Sequence, residues 1–308
     1  MLPSGDVNVE APRLRARPSL HSYVRRASHG YIAPAKRTAL IIGINHSQGA
    51  PPLPGSVRDA MNLHDALIGY GFREENITLL LDGQATKPAI LAGLRSLAAR
   101  TPSNGIAVFA AATHTGRWGG TNSFATAEGG RISAGVLAAH LGEVRAPAWV
   151  ALPTCYAEGY ALPGIVGFNR VATFASSADR ESYQAGDAGS FLFIHMVRRG
   201  MLEGRAPTSV ESAFGFAHSE LSRRHPEYVP LMNDGYPGNL VLGPAPTIRT
   251  ARWEPPAEPE QEPQTWDGWE YDTYGSDPYE DPSATPSPTP EPERRSGWSV
   301  CGSVSYNC

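Results

Sequence analysis

Gly105-Ile-Ala-Val-Phe-Ala-Ala-Ala-Thr-His-Thr-Gly116 is the stretch on which the fold turns. Its apolar part runs unbroken from Ile106 to Ala112 and stops at Thr113-His114. A strand buried on both faces reads this way, because neither side of its pleat meets water. Thr38–Ile44, Pro147–Pro153 and Arg170–Ala175 have the same character, and Ile77–Leu81 is a further short strand.

Helical patterns lie between these runs. Ser56 opens one in which Val57, Ala60, Met61, Leu63, Leu67 and Ile68 recur at helical spacing, closed by Gly69 and Gly71. Thr86 is suited to cap a second, with Pro88 in its first turn and Ile90, Leu91, Leu94 and Leu97 facing inward. After a Gly-rich segment from Gly116 to Gly130, Ser133 can cap a third, with Val136, Leu137 and Leu141. Ser190–Met201 and Val210–Leu221 also read as helices, the second with a capping box of Thr208 and Glu211. Leu240–Leu242 is placed as the last strand. Strands alternating with helices imply parallel pairing through crossovers. The expected fold is an α/β sandwich with a mostly parallel central sheet of about six strands and helices on both faces.

This core is expected to span residues 37–245. Residues 1–36 form a basic arm, with Arg13, Arg15, Arg17, Arg25, Arg26 and Lys36. Residues 246–308 are an acidic tail of Pro, Glu, Ser and Thr, a composition expected to be disordered and open to partner binding. The net charge of -4 argues against a general nucleic-acid binder. No run of about 18 apolar residues is present, so no transmembrane helix is expected. Met1–Glu10 has no signal-peptide pattern. Of the three cysteines, Cys301 and Cys308 lie in the tail and only Cys155 follows an apolar strand, which excludes a disulfide-built fold and fits a reducing, cytoplasmic setting.

Chemistry in an open α/β sheet gathers beyond the carboxyl ends of its strands. The Ile106–Ala112 run ends in Thr113-His114-Thr115-Gly116, and the Pro147–Pro153 run ends in Thr154-Cys155-Tyr156. If these strands are neighbours, an imidazole and a thiol share one gap, the minimum for thiol nucleophilic catalysis. Backbone N–H groups beside Cys155 and after His114 are then placed for an oxyanion. Each residue alone reads more simply as strand-end filler or a polar terminus. Their joint placement carries the case.

Residues 37 to about 245 resemble the caspase-like cysteine peptidases, bacterial caspase homologues and metacaspases above all. Ala39–Asn45 is similar to their opening strand, and Leu53-Pro-Gly-Ser-Val-Arg-Asp-Ala60 to their Leu-x-Gly-Cys-x-Asn-Asp-Ala segment. Gly71-Phe72, Ile77–Asp82, Val108–Gly116, Val150–Gly159, Thr173–Ala178 and Gly189-Ser-Phe191 match later elements in order. The resemblance implies an endopeptidase acting on protein or peptide substrates, with His114 as general acid/base and Cys155 as nucleophile. Thr115 and Cys155 amides would form the oxyanion hole. Asp59 would be an S1 carboxylate favouring Arg or Lys. The bland reading of Asp59 is a first-turn helix acid. Three positions depart from the family pattern: Pro153 stands for Asp, Ala112 for Ser and Thr115 for Gly. They leave open a second reading, a catalytically impaired scaffold that binds partners through its tails. Many metacaspases bind calcium, but Gly116–Arg145 offers only Glu128 and Glu143 as carboxylates, so neither metal nor cofactor is expected.

Overall fold

The computed structural model describes residues 33–226 and 228–245. The expected tail, with Cys301 and Cys308, lies outside the described residues, as does the arm apart from residues 33–36. The strands are β1 (Arg37–Gly43), β2 (Ile77–Leu81), β3 (Ile106–Ala112), β4 (Thr115–Trp118), β5 (Thr121–Ala125), β6 (Arg131–Ser133), β7 (Ala148–Leu152), β8 (Arg170–Phe174) and β9 (Leu231–Asp234). The α-helices are α1 (Ser56–Gly69), α2 (Lys87–Arg100), α3 (Ala134–Gly142), α4 (Phe191–Phe193, continuing as a π-helix over Ile194–Leu202) and α5 (Val210–Arg224).

The main sheet has six strands in the order β2-β1-β3-β7-β8-β9. All pairings are parallel except β8 with β9. Every residue of β1, β3, β7 and β8 is buried, which is why their sequences are continuous apolar runs and do not alternate. Helices cover both faces. On one, Leu63 and Leu67 of α1, Met196 and Val197 of the π-helix, and Ala217 and Leu221 of α5 pack on Ile41, Val108 and Trp149. On the other, Ile90 and Leu94 of α2 and Leu137 and Leu141 of α3 pack on Leu40, Ile42, Phe109 and Val150. This is the expected sandwich. Trp149 is fully buried and its indole N–H donates to Thr173 Oγ1 (3.0 Å), so the largest core side chain leaves no polar group unpaired.

Caps locate the helix starts. Thr86 and Ser133 side chains accept from Ala89 and Val136 N–H, as expected from their sequence positions. The box at α5 falls one residue later than expected. Ser209 and Ser212 cap each other, while Glu211 accepts the N–H of Leu240 through both carboxylate oxygens (2.8 and 3.0 Å). Leu240–Leu242 is likewise no strand. Leu240 and Leu242 are buried, but the last strand is β9, a half-exposed antiparallel edge. The Gly-rich segment after β3 folds into a second, three-stranded antiparallel sheet, β4-β5-β6. Arg170 is buried and donates to the carbonyls of Leu141, Val144 and Ala146 past the end of α3, where the helix dipole favours a cation.

Candidate active site

Four loops meet at the carboxyl edge of the sheet, following β1, β3, β7 and β8. The β3 and β7 loops come together because those strands are parallel neighbours, with Ala110 beside Ala151. Carried four residues on, the same register sets His114 beside Cys155, about one strand spacing (~4.8 Å) apart. A hydrogen bond ties the two loops there: the Thr115 hydroxyl donates to the Cys155 carbonyl. Thr154 Oγ1 donates to the same oxygen (3.2 Å).

His114 and Cys155 are both buried, at 6% and 4% exposure. Cys155 packs against Leu53 from the β1 loop and against Tyr156. His114 Nε2 lies 2.8 Å from the Pro51 carbonyl. A carbonyl only accepts, so Nε2 carries the proton and Nδ1 is the basic lone pair of the neutral ring. No side-chain motif announces this orienting group, because it is a backbone oxygen; sequence reasoning missed it. The β1 loop that presents Pro51 and Leu53 is itself fixed. Asp82 Oδ1 accepts from the N–H of Asn45 (2.6 Å) and His46 (3.0 Å), and Asn45 Oδ1 accepts from Val57 N–H (2.9 Å) in the first turn of α1. A Cβ on Gly43 would lie 2.6 Å from that of Ala60, so glycine is what lets α1 approach the strand end.

The residue after the thiol turns the chain. Tyr156 has φ 51°, a left-handed conformation uncommon outside glycine, and its N–H donates to the Arg180 carbonyl (2.8 Å). Ser176 from the β8 loop braces the same segment: its hydroxyl donates to the Thr154 carbonyl (3.2 Å) and accepts from Ala157 N–H (3.3 Å).

Asp59 stands apart from this exposed rim. It is fully buried in the first turn of α1, where its Oδ2 accepts the Ser190 N–H (2.8 Å) and its Oδ1 finds no partner. Burial pushes its carboxyl up to about 8. Gly189 lies directly over it, with φ 106°, and a Cβ there would come within 2.1 Å of Asp59 Oδ1. Among the described residues, no group of three or more His, Cys, Asp or Glu is arranged to hold a metal ion, and no helix is long and apolar enough to cross a membrane.

Comparison with known proteins agrees with this architecture. The profile of a peptidase family, described as the caspase domain, matches residues 36–130. The fold resembles the crystal structure of Caspase-1 from Spodoptera frugiperda, with a TM-score of 0.54 and 15% identity, covering 71% of this chain and 94% of that one. The chain is a caspase-like protein. A protein from Geobacter sulfurreducens has the same TM-score and identity over 70% of this chain and all of its own. At such identity these two show the fold. Metacaspase-1 of Eremothecium gossypii is 45% identical over 49 residues, which is 16% of this chain and only 11% of the relative's length. The caspase-domain match contains His114 and ends before Cys155.

Proposed function

We propose that this caspase-like protein is a cysteine endopeptidase that cuts proteins after Arg or Lys through a Cys155–His114 dyad. The observation that carries the reading is the parallel pairing of β3 with β7, whose register brings His114 and Cys155 to one gap. His114 Nδ1 takes the Cys155 proton, and the thiolate attacks the scissile carbonyl. The Thr115 and Cys155 amides hold the oxyanion. The protonated imidazole then passes its proton to the leaving amine, and a water, deprotonated by the same ring, hydrolyses the thioester. Asp59 serves as the S1 acid from beneath. For that the Gly189–Ser190 segment above it moves aside, and an arriving cation supplies the opposite charge that lets the buried carboxyl ionise.

Intact-mass analysis with an Arg-based peptide electrophile tests this. The full chain is expected to gain one adduct, absent from Cys155→Ala and strongly slowed in His114→Ala. A wild-type chain that gains no adduct, or a Cys155→Ala chain that still does, overturns the reading in favour of the scaffold.

A further inference from the structure

Beyond the dyad, a cavity of about 220 Å³ opens between the ends of β8 and β9, lined among others by Ser176, Arg180, Glu181, Tyr183, Tyr228 and Leu231. It lies on the reactive edge of the sheet. Phe174 at the end of β8 pairs with Leu231 at the start of β9, so the chain leading into β9 runs beyond the same edge as Cys155. The cavity is also pinned to the nucleophile's own segment. Ser176 braces Thr154 and Ala157, and Arg180 accepts the Tyr156 N–H. The Tyr156 hydroxyl donates to Glu181 Oε1 at 3.4 Å, a long contact that orients the carboxylate without neutralising it.

The walls suit a cation. Tyr183 and Tyr228 pack edge to face with centroids 5.7 Å apart, and Phe191 stacks on Tyr183 at 6.4 Å and on His225 at 4.7 Å. Rings held this way present fixed π faces at no further cost in ordering. Arg180 is the one basic residue lining the cavity, and it is exposed between Asp179 and Glu181. Glu158 also reaches this loop, accepting Ala178 N–H (3.2 Å). Counting Glu158, Asp179, Arg180 and Glu181, carboxylates outnumber the guanidinium on this rim. Asp59 is sealed on the far side of Gly189 and does not line the cavity.

We infer that this cavity is a second substrate subsite, in which Glu181 and the faces of Tyr183 and Tyr228 take a Lys or Arg side chain close to the residue that is cut. The inference rests on the peptidase reading and adds to it a preference for substrates with two basic residues near the scissile bond. Glu181 would be a specificity residue, touching substrate but not the reacting atoms.

The test uses the full chain and electrophilic tripeptides with Arg at P1 and Lys, Leu or Glu at P2 or P3, with Cys155 labelling rates read by intact mass. Lys is expected to outperform Leu at one of these positions by about ten- to a hundredfold, the worth of a charge-assisted contact. Glu181→Gln should abolish that advantage while leaving the Leu probe's rate unchanged, and Glu181→Lys should turn the preference toward Glu. Equal rates for Lys and Leu, or a Lys advantage that survives Glu181→Gln, overturns the inference and leaves the dyad standing. A wild-type preference for Glu assigns the cavity to Arg180 and also overturns it. Absence of any Cys155 adduct removes the peptidase reading and this subsite together.

Discussion

Thr115 reaches across from the loop after β3 and donates its hydroxyl to the backbone carbonyl of Cys155 in the loop after β7. Both residues are buried, at 7% and 4% exposure. A side chain at this position, where caspase-like peptidases carry glycine, thus replaces backbone freedom with a cross-loop bond. Because the carbonyl and N–H of one residue turn together, fixing the carbonyl also fixes the direction of the amide proposed to face the oxyanion.

Replacing Thr115 by Val keeps the shape and removes the donor. Thr154 still serves the same carbonyl, so the loss in stability is expected to be about 1 kcal/mol, the low end for a buried hydrogen bond. Thr115→Ser should restore it. If the bond positions the nucleophile, kcat falls in Thr115→Val with KM little changed and recovers in Thr115→Ser. Identical kcat in all three forms would assign the hydroxyl a structural role only.

Gly189 carries a second, purely steric prediction. Its φ of 106° with ψ of -175° is a region almost restricted to glycine, and Asp59 Oδ1 occupies the space of a Cβ. Gly189→Ala is expected to lose on the order of 2–3 kcal/mol by urea denaturation. Gly119, at φ 56° with nothing within 4 Å of its Cβ position, is the control, and Gly119→Ala should cost only about 1–2 kcal/mol. Equal losses at the two sites would mean that Asp59 does not press on Gly189.

The sheet and its four large helices were legible because buried parallel strands cannot alternate and their crossover helices need caps. Ile106–Ala112 and Thr86 are examples. The three-stranded β4-β5-β6 sheet was hidden by short strands and by Gly119 and Gly120, which fit a loop and a hairpin turn alike. Thr208 and Ser209 both satisfy the pattern of a capping residue, and only the long-range demand of Leu240 N–H for Glu211 decides between them. Leu240 looked like strand because it is apolar, whereas β9 is half-exposed and has a mixed pattern. The pairing of Cys155 with His114 could be read from strand order. The Pro51 carbonyl that orients the imidazole, and the depth of Asp59, depend on loop packing that no local pattern encodes.

The last prediction concerns pH and two buried groups with opposite slopes. Asp59 is pushed up to about 8 by burial, so between about pH 4 and 8 the folded chain keeps a proton that the unfolded chain releases. Stability from this group is present at low pH and declines as pH rises toward 8. His195, on the π-helix, is driven down to about 4, first by burial and then by Arg199, with Arg224 and His225 acting the same way and Glu220 opposing. Its folded form therefore binds fewer protons than the unfolded chain below about pH 6.5, and stability from it is lost as pH falls from there toward 4. The two slopes oppose each other between pH 4 and 6.5, and above 6.5 only Asp59 remains. Asp59→Asn should therefore flatten the decline in urea midpoint between pH 6.5 and 8, since an amide can accept from Ser190 N–H but cannot ionise. His195→Leu should leave that window unchanged and reduce the acid-side loss below pH 6.5. An Asp59→Asn chain that declines as steeply as wild type above pH 6.5 would show that the carboxyl is already ionised in the folded state, with Gly189 and Ser190 open to water.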